Sequence, residues 1–219
     1  MTAKRVGLLG GSFNPAHKGH RAISLHALRA LGLDEVWWMV SPGNPLKPQK
    51  GMAPFEARMA SARRMARNAP IRVTAVEQRL KTRYTVDTLT KLPRVYPKHR
   101  FIWLMGTDNL AQFHRWEGWR QIARQVPIAV IARPGYDGDA LASPAMGWLR
   151  RAVRPAGQAK NWTSWRLPAL VLLRFRPDPT SATSLRAADP AWHRRFLHSD
   201  QGAALTGGEA PSPSPSTGL

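Results

Sequence analysis

Two imidazoles three residues apart mark the start of the chain. In "LLGGSFNPAHKGH", Leu8 to His20, the glycine pair Gly10 and Gly11 leads into His17 and His20, with Gly19 between the histidines. Glycines let the backbone pass close to a ligand. A helix opening here points its free N–H groups and the positive end of its dipole into the same space, which favours phosphate. A spacing of three sets both rings near one helix face. Two imidazole donors beside a helix N-terminus make a clamp for charge developing on a phosphoryl group. Zinc is the competing use of paired histidines, but the chain has no cysteine and no Asp or Glu stands near them to complete a ligand set. The stretch matches neither G-x-G-x-x-G nor a phosphate loop ending in Gly-Lys-Ser/Thr. Two surface histidines after an incidental glycine pair are the plain alternative.

The longer segment "GGSFNPAHKGH" resembles the G-x-F-x-P-x-H-x-G-H signature of the HxGH nucleotidyltransferases, in residues, order and position. A second block agrees with it. That superfamily carries a late Ile-Ser-Ser/Ala-Thr-x-x-Arg segment at a helix start, and "TSATSLR", Thr180 to Arg186, sets Ser181, Thr183 and Arg186 in register, with Thr180 in place of the isoleucine. Taken alone, Ser and Thr at a helix start are ordinary N-caps. Between the two blocks, "GTDNLAQFHRW", Gly106 to Trp116, is similar to the G-x-D-x-x-x-x-F-x-x-W segment of bacterial nicotinate-nucleotide adenylyltransferases. "SPGNPLK", "YTVDTL" and "ARPGY" resemble further loops of that family, although Leu46 stands where it often has a histidine. Asp108 read by itself is a helix cap, and Trp116 by itself is core.

The resemblance spans about residues 5–186 and implies adenylyl transfer from ATP to nicotinate mononucleotide. In that reading His17, His20 and Arg186 are catalytic, with His20 at the α-phosphate. Gly10, Gly11, Phe13, Lys47, Asp108, Ser181 and Thr183 face ATP. Ser12, Asn14, Thr85, Trp116 and Arg133 face the mononucleotide, Trp116 stacking on the pyridine ring and Thr85 lying by the carboxylate. Mg²⁺ arrives with ATP, and no metal site made by the protein is expected. The competitors are another adenylyltransferase of the superfamily, taking nicotinamide mononucleotide or phosphopantetheine, and a basic nucleic-acid-binding protein on the same fold. Phosphopantetheine enzymes usually carry Thr where His17 stands.

The elements that must position these residues alternate along the chain. "KRVGLLG", "DEVWWMV", "IRVTAV", "RFIWLMG", "PIAVIARPG" and "ALVLLRF" read as strands. Between them lie a helix with Ile23, Ala27, Leu28 and Leu31 on one stripe, closed by Gly32, and a second with Phe55, Met59, Ala62 and Ala66. "YTVDTLTKL" reads as a helix stopped by Pro93 and Pro97, and "TDNLAQFHRWEGWRQIARQ" as one broken around Gly118. Strand–helix alternation implies a parallel sheet with right-handed crossovers. The expectation is an α/β fold: a Rossmann-like doubly wound parallel sheet of nucleotidyltransferase type, in a single domain over residues 1–200. A low-complexity tail, 201–219, is expected to be disordered. Residues 136–168 carry weak periodicity and no assignment.

Composition sets the remaining bounds. The chain has 219 residues, 43% of them hydrophobic, enough for one domain with a real core. No run approaches the length of a signal sequence or a membrane span, so a cytoplasmic protein is expected. Lys and Arg number 33 against 13 acids, a net charge of +20. That excess raises nucleic-acid binding. The basic residues are nevertheless scattered, as in "RMASARRMARN" and "GWLRRAVRP", and no nucleic-acid signature accompanies them. Anionic small substrates, drawn in by the field, are the expected partners. Oligomeric state is left open by the sequence.

Overall fold

The computed structural model describes residues 3–43, 51–132, 137–175 and 180–197. Its centre is a parallel sheet of seven strands: β1 (Arg5–Gly11), β2 (Glu35–Val40), β3 (Ile71–Thr74), β4 (Arg100–Gly106), β5 (Ile128–Ile131), β6 (Val153–Arg154) and β7 (Leu170–Leu173). They lie in the order β3-β2-β1-β4-β5-β7-β6. The chain first winds outward from β1 to β3, then returns to place β4 on the other side of β1. Val6 to Gly11 pair with Glu35 to Val40 on one flank, and Arg5 to Leu9 with Arg100 to Leu104 on the other. The order therefore reverses between β1 and β4, and a crevice opens beyond their C-terminal ends.

Alternation along each strand feeds two cores. Val6, Leu8, Trp37, Met39, Trp103 and Met105 face α4 (Thr85–Val95), α5 (Thr107–Gln112), α6 (Trp119–Gln125) and α8 (Pro144–Leu149). Leu9, Trp38, Val40, Ile102 and Leu104 face α1 (Lys18–Leu31) and α2 (Phe55–Ala66). Because both faces are covered, the strands read as near-continuous apolar runs. The stripe of Ile23, Ala27, Leu28 and Leu31 is buried as expected, and Gly32 caps α1 in the left-handed conformation, φ +59°.

Several expectations are corrected. The third strand stops at Thr74, and Val76 opens α3 (Val76–Leu80). Val76 and Leu80, four apart, both pack on the core, a helical match that the run "VTAV" disguised. Pro93 does not end α4, which reaches Val95. Proline removes one N–H donor in the last turn of that helix, and the Tyr96 N–H still closes on the Leu92 carbonyl at 2.9 Å. Residues 137–168, which carried no assignment, hold α7 (Asp137–Leu141), α8, the edge strand β6 and a nine-residue 3₁₀ helix, Ala156–Ser164. Ser143 caps α8 with Pro144 in its first turn. The 3₁₀ helix is anchored through Trp162, whose indole Nε1–H donates to the Leu31 carbonyl at 3.0 Å. The break at Gly118 is as read: it takes φ +60° between a 3₁₀ turn, Phe113–Arg115, and α6.

Candidate active site

The glycine turn leaves β1 in the crevice, and Gly10 and Gly19 are sterically confined. A Cβ on Gly10 would stand 2.8 Å from Cη2 of Trp103, and one on Gly19 would stand 2.9 Å from the His17 ring and 3.3 Å from the Thr180 carbonyl oxygen. Phe13 takes a left-handed conformation, φ +47°, and its buried ring stacks on Trp38 at 5.0 Å and tilts on His20 at 4.8 Å. Phe13 thus supports His20 from below.

The two imidazoles close the start of α1. His17 is the N-cap, its Nδ1 accepting from the Gly19 N–H at 3.1 Å. His20 reaches back, its Nδ1 accepting from the His17 N–H at 3.3 Å. This is a capping box built from imidazoles instead of Ser and Glu. In a neutral ring, an accepting Nδ1 leaves the proton on Nε2. The ring centroids lie 3.9 Å apart.

The late block folds onto this turn. Ser181 caps α9 (Ala182–Ala188) and shares a capping box with Ser184. From one turn into α9, Arg186 donates through Nη1 to the Asn14 carbonyl at 2.7 Å and through Nη2 to Oγ1 of Thr183 at 3.3 Å. The structure therefore brings His17, His20, Ser181, Thr183 and Arg186 together across the whole length of the chain. The side chains of Asn14 and Ser181 are engaged by the framework. Asn14 donates to the Gly51 carbonyl at 2.9 Å and accepts from the Ala53 N–H at 3.2 Å, while the Ser181 hydroxyl accepts from the Ser184 N–H at 3.1 Å.

Across the crevice, Asp108 lies half-buried in the first turn of α5, directly after β4. Trp116 packs edge-on against Trp103 at 6.1 Å and Phe113 at 5.5 Å. Thr85 opens α4, and a Cβ on Gly118 would be 3.0 Å from Val86, so the Trp116–Gly118 segment abuts the start of that helix. Trp103 links the halves, touching the space over Gly10 on one side and Trp116 on the other. Lys47 and Arg133 lie outside the described residues.

Sequence reasoning missed two buried charged groups here. Arg58, 1% exposed on α2, donates through Nε to the Ala53 carbonyl at 3.0 Å, and through Nη1 to those of Ser12 at 2.8 Å and Ser41 at 2.7 Å. Its Nη2 donates to Pro42 at 3.3 Å. Burial lowers its pKa from the usual guanidinium value, with Glu56 opposing. Desolvating such an ion costs several kcal/mol. Four hydrogen bonds from a charged donor return about 1.5–3 kcal/mol each. Those bonds offset the burial and gather four backbone carbonyls around one planar group. The signal was present in the sequence: Arg58 lies three residues after Phe55 and four before Ala62, on the apolar stripe itself. The other group is Glu77 on α3. Burial pushes its carboxyl up to about 7, partly offset by a hydrogen bond with the Ser41 side chain.

Among the described residues, no group of three or more His, Cys, Asp or Glu could hold a metal ion, and no helix is long and apolar enough to cross a membrane. Imidazole and guanidinium are poor ligands for Mg²⁺, which demands oxygen.

A doubly wound sheet with a glycine turn and an imidazole pair at its point of reversal defines a nucleotidyltransferase, and the chain matches the cytidylyltransferase-like family over residues 8–188. A protein of Erythrobacter litoralis named "Probable nicotinate-nucleotide adenylyltransferase" is 64% identical over 192 residues, 88% of each chain. One of the same name from Parvibaculum lavamentivorans is 53% identical over 182 residues, 83% of this chain and 90% of that one. The nicotinic acid mononucleotide adenylyltransferase of Plasmodium falciparum, complexed with NaAD, shares the fold with a TM-score of 0.61 at 15% identity, covering 85% of this chain and 83% of that one. The chain belongs to the cytidylyltransferase-like family and, within it, to the nicotinate-nucleotide adenylyltransferases.

Proposed function

We propose that the chain transfers the adenylyl group of ATP to nicotinate mononucleotide, releasing pyrophosphate and forming nicotinate adenine dinucleotide in NAD synthesis. The observation that carries the reading is the joining of the His17–His20 pair to the Thr183–Arg186 block at the end of β1. A phosphate oxygen of the mononucleotide forms the new bond to the α-phosphorus in line, as the bond from that phosphorus to the β-phosphate bridging oxygen breaks. That phosphate is already a nucleophile at neutral pH, so catalysis consists of positioning and charge stabilisation.

His20 donates from Nε2 to the α-phosphate, and His17 donates beside it. Arg186 and the Thr183 hydroxyl hold the β- and γ-phosphates. Gly10, Gly11, Ser12 and Phe13 contribute backbone and close approach, while Asn14 and Ser181 hold the turn and α9 in place. Asp108 faces the adenosine, Trp116 stacks on the pyridine, and Thr85 meets the carboxylate. Lys47 and Arg133 add positive charge. Mg²⁺ enters with ATP, held by phosphate oxygens and water. The catalytic domain ends near residue 200, and the reaction runs in the cytoplasm.

Pyrophosphate release with ATP and Mg²⁺ tests this, with nicotinate mononucleotide, nicotinamide mononucleotide and phosphopantetheine offered separately. The reading expects release strongly favouring the nicotinate substrate. Preference for another acceptor discards the substrate and keeps the chemistry. No release from folded protein, together with salt-sensitive RNA binding, replaces the enzyme with a basic binding protein.

A further inference from the structure

We propose that Arg58 is a positioning residue for adenylyl transfer, setting the His17–His20 pair by clamping the loops after β1 and β2 to the start of α2. The inference rests on the reading above. Its basis is that one buried guanidinium joins three chain segments, the loops after β1 and β2 and the approach to α2.

The acceptors are Ser12 from the β1 loop, Ser41 and Pro42 from the β2 loop, and Ala53 from the approach to α2. Asn14 closes the same circuit from the opposite side, holding the Gly51 carbonyl and the Ala53 N–H. Ala53 is therefore fixed at both its backbone polar groups, by two residues from different elements. Ser12 is followed by left-handed Phe13, whose ring carries His20, and five residues after Ser12 comes His17. Rotation of the Ser12 carbonyl would reorient the peptide that sets Phe13, and with it the support under His20. Its hydrogen bonds among the described residues go to backbone carbonyls. A planar fork with donors on both edges suits this task, and a lysine ammonium does not. What the cation supplies is geometry, four carbonyls from three segments held on one planar group.

The test compares wild type, Arg58→Lys, His20→Ala and the double variant, using kcat, both KM values and the melting temperature. If Arg58 acts through His20, Arg58→Lys lowers kcat at least about tenfold with the KM for ATP little changed, at a temperature where all four proteins are folded. In the His20→Ala background the same change then costs less than about threefold, because residues acting as a unit are not additive. A kcat within about twofold of wild type overturns the proposal, as does an equal loss in both backgrounds. If Arg58→Lys fails to fold, Arg58→Gln, which keeps donors on a planar group, takes its place under the same criteria. Wild type runs alongside. Its failure to release pyrophosphate overturns the functional reading and this proposal together, whereas active wild type with indifferent Arg58 variants overturns this proposal alone.

Discussion

Arg186 and Asn14, 172 residues apart, meet in a 2.7 Å hydrogen bond from the guanidinium to a backbone carbonyl. The contact pins α9 to the turn after β1, and in the proposed reading the same group that docks the helix also holds the phosphates. Replacing Arg186 by Ala removes both roles. The expected result is a loss of about 100-fold or more in kcat/KM, carried partly by a raised KM for ATP. Steady-state kinetics in ATP checks it, and an unchanged KM for ATP would contradict the assignment of Arg186 to the phosphates.

In the proposed mechanism, His20→Ala removes a donor to charge that develops in the transition state. Turnover should fall about 100- to 1,000-fold. The variant also loses half of the imidazole capping box, a cost of about 1 kcal/mol that leaves a folded protein. Circular dichroism and pyrophosphate release separate the two effects. Near-wild-type release from His20→Ala would end the role given to it.

Gly19→Ala tests the geometry of the pair. Within a helix, Gly→Ala ordinarily stabilises, by up to about 0.5–1 kcal/mol in the helix middle. Here the added methyl meets the His17 ring at 2.9 Å and the Thr180 carbonyl at 3.3 Å. His17 must tilt away and the docked segment must give. Reduced kcat together with a melting temperature no higher than wild type is expected, and a more stable, fully active variant would show the contact to be slack.

Trp116→Ala should raise the KM for nicotinate mononucleotide while leaving that for ATP nearly unchanged, since its ring lies on the Trp103 side of the crevice. Loss of ring stacking is worth about 1–3 kcal/mol, or roughly a 5- to 150-fold change. Substrate titrations at saturating partner decide it, and equal effects on both KM values would make Trp116 a core residue.

Glu77 gives stability a pH dependence. Its folded-state value of about 7 lies above the ordinary carboxylate range, so the folded protein holds a proton that the unfolded chain has released. This contribution is fully present below the unfolded value and is lost as pH rises towards about 7. Glu77→Gln should therefore be more stable than wild type at pH 8, by up to ~3 kcal/mol, with the gap closing towards pH 4. Chemical denaturation at several pH values measures it. A constant difference would mean that Glu77 does not titrate in this window.

The sheet was legible because its central strands are apolar on both faces and each long helix carries a 3.6-residue stripe. Its two ends were legible for another reason: the glycine turn and the hydroxyl–arginine block are dense enough to resemble known segments. What escaped was short or tertiary. Two residues of β6 carry no period. Val76 and Leu80 become helical only through packing. Pro93 is a breaker that position neutralises, being in a last turn where one missing donor matters little. Arg58 and Glu77 owe their burial to loops brought together from distant parts of the chain. Asn14 and Ser181 show the reverse case: residues within recognisable motifs whose side chains the framework employs.

The point where strand order reverses has one more meaning. The imidazole pair rests on the layer formed by α1, α2 and one face of the sheet, whereas the elements that carry Thr85 and Trp116, the proposed acceptor contacts, and Asp108, the proposed adenosine contact, rest on the layer beneath the other face. One core thus stands behind the imidazole pair and the other behind the proposed acceptor contacts. Mutations that reshape the acceptor pocket need not disturb the imidazole pair, so one scaffold is free to change what it adenylylates while keeping how it does so.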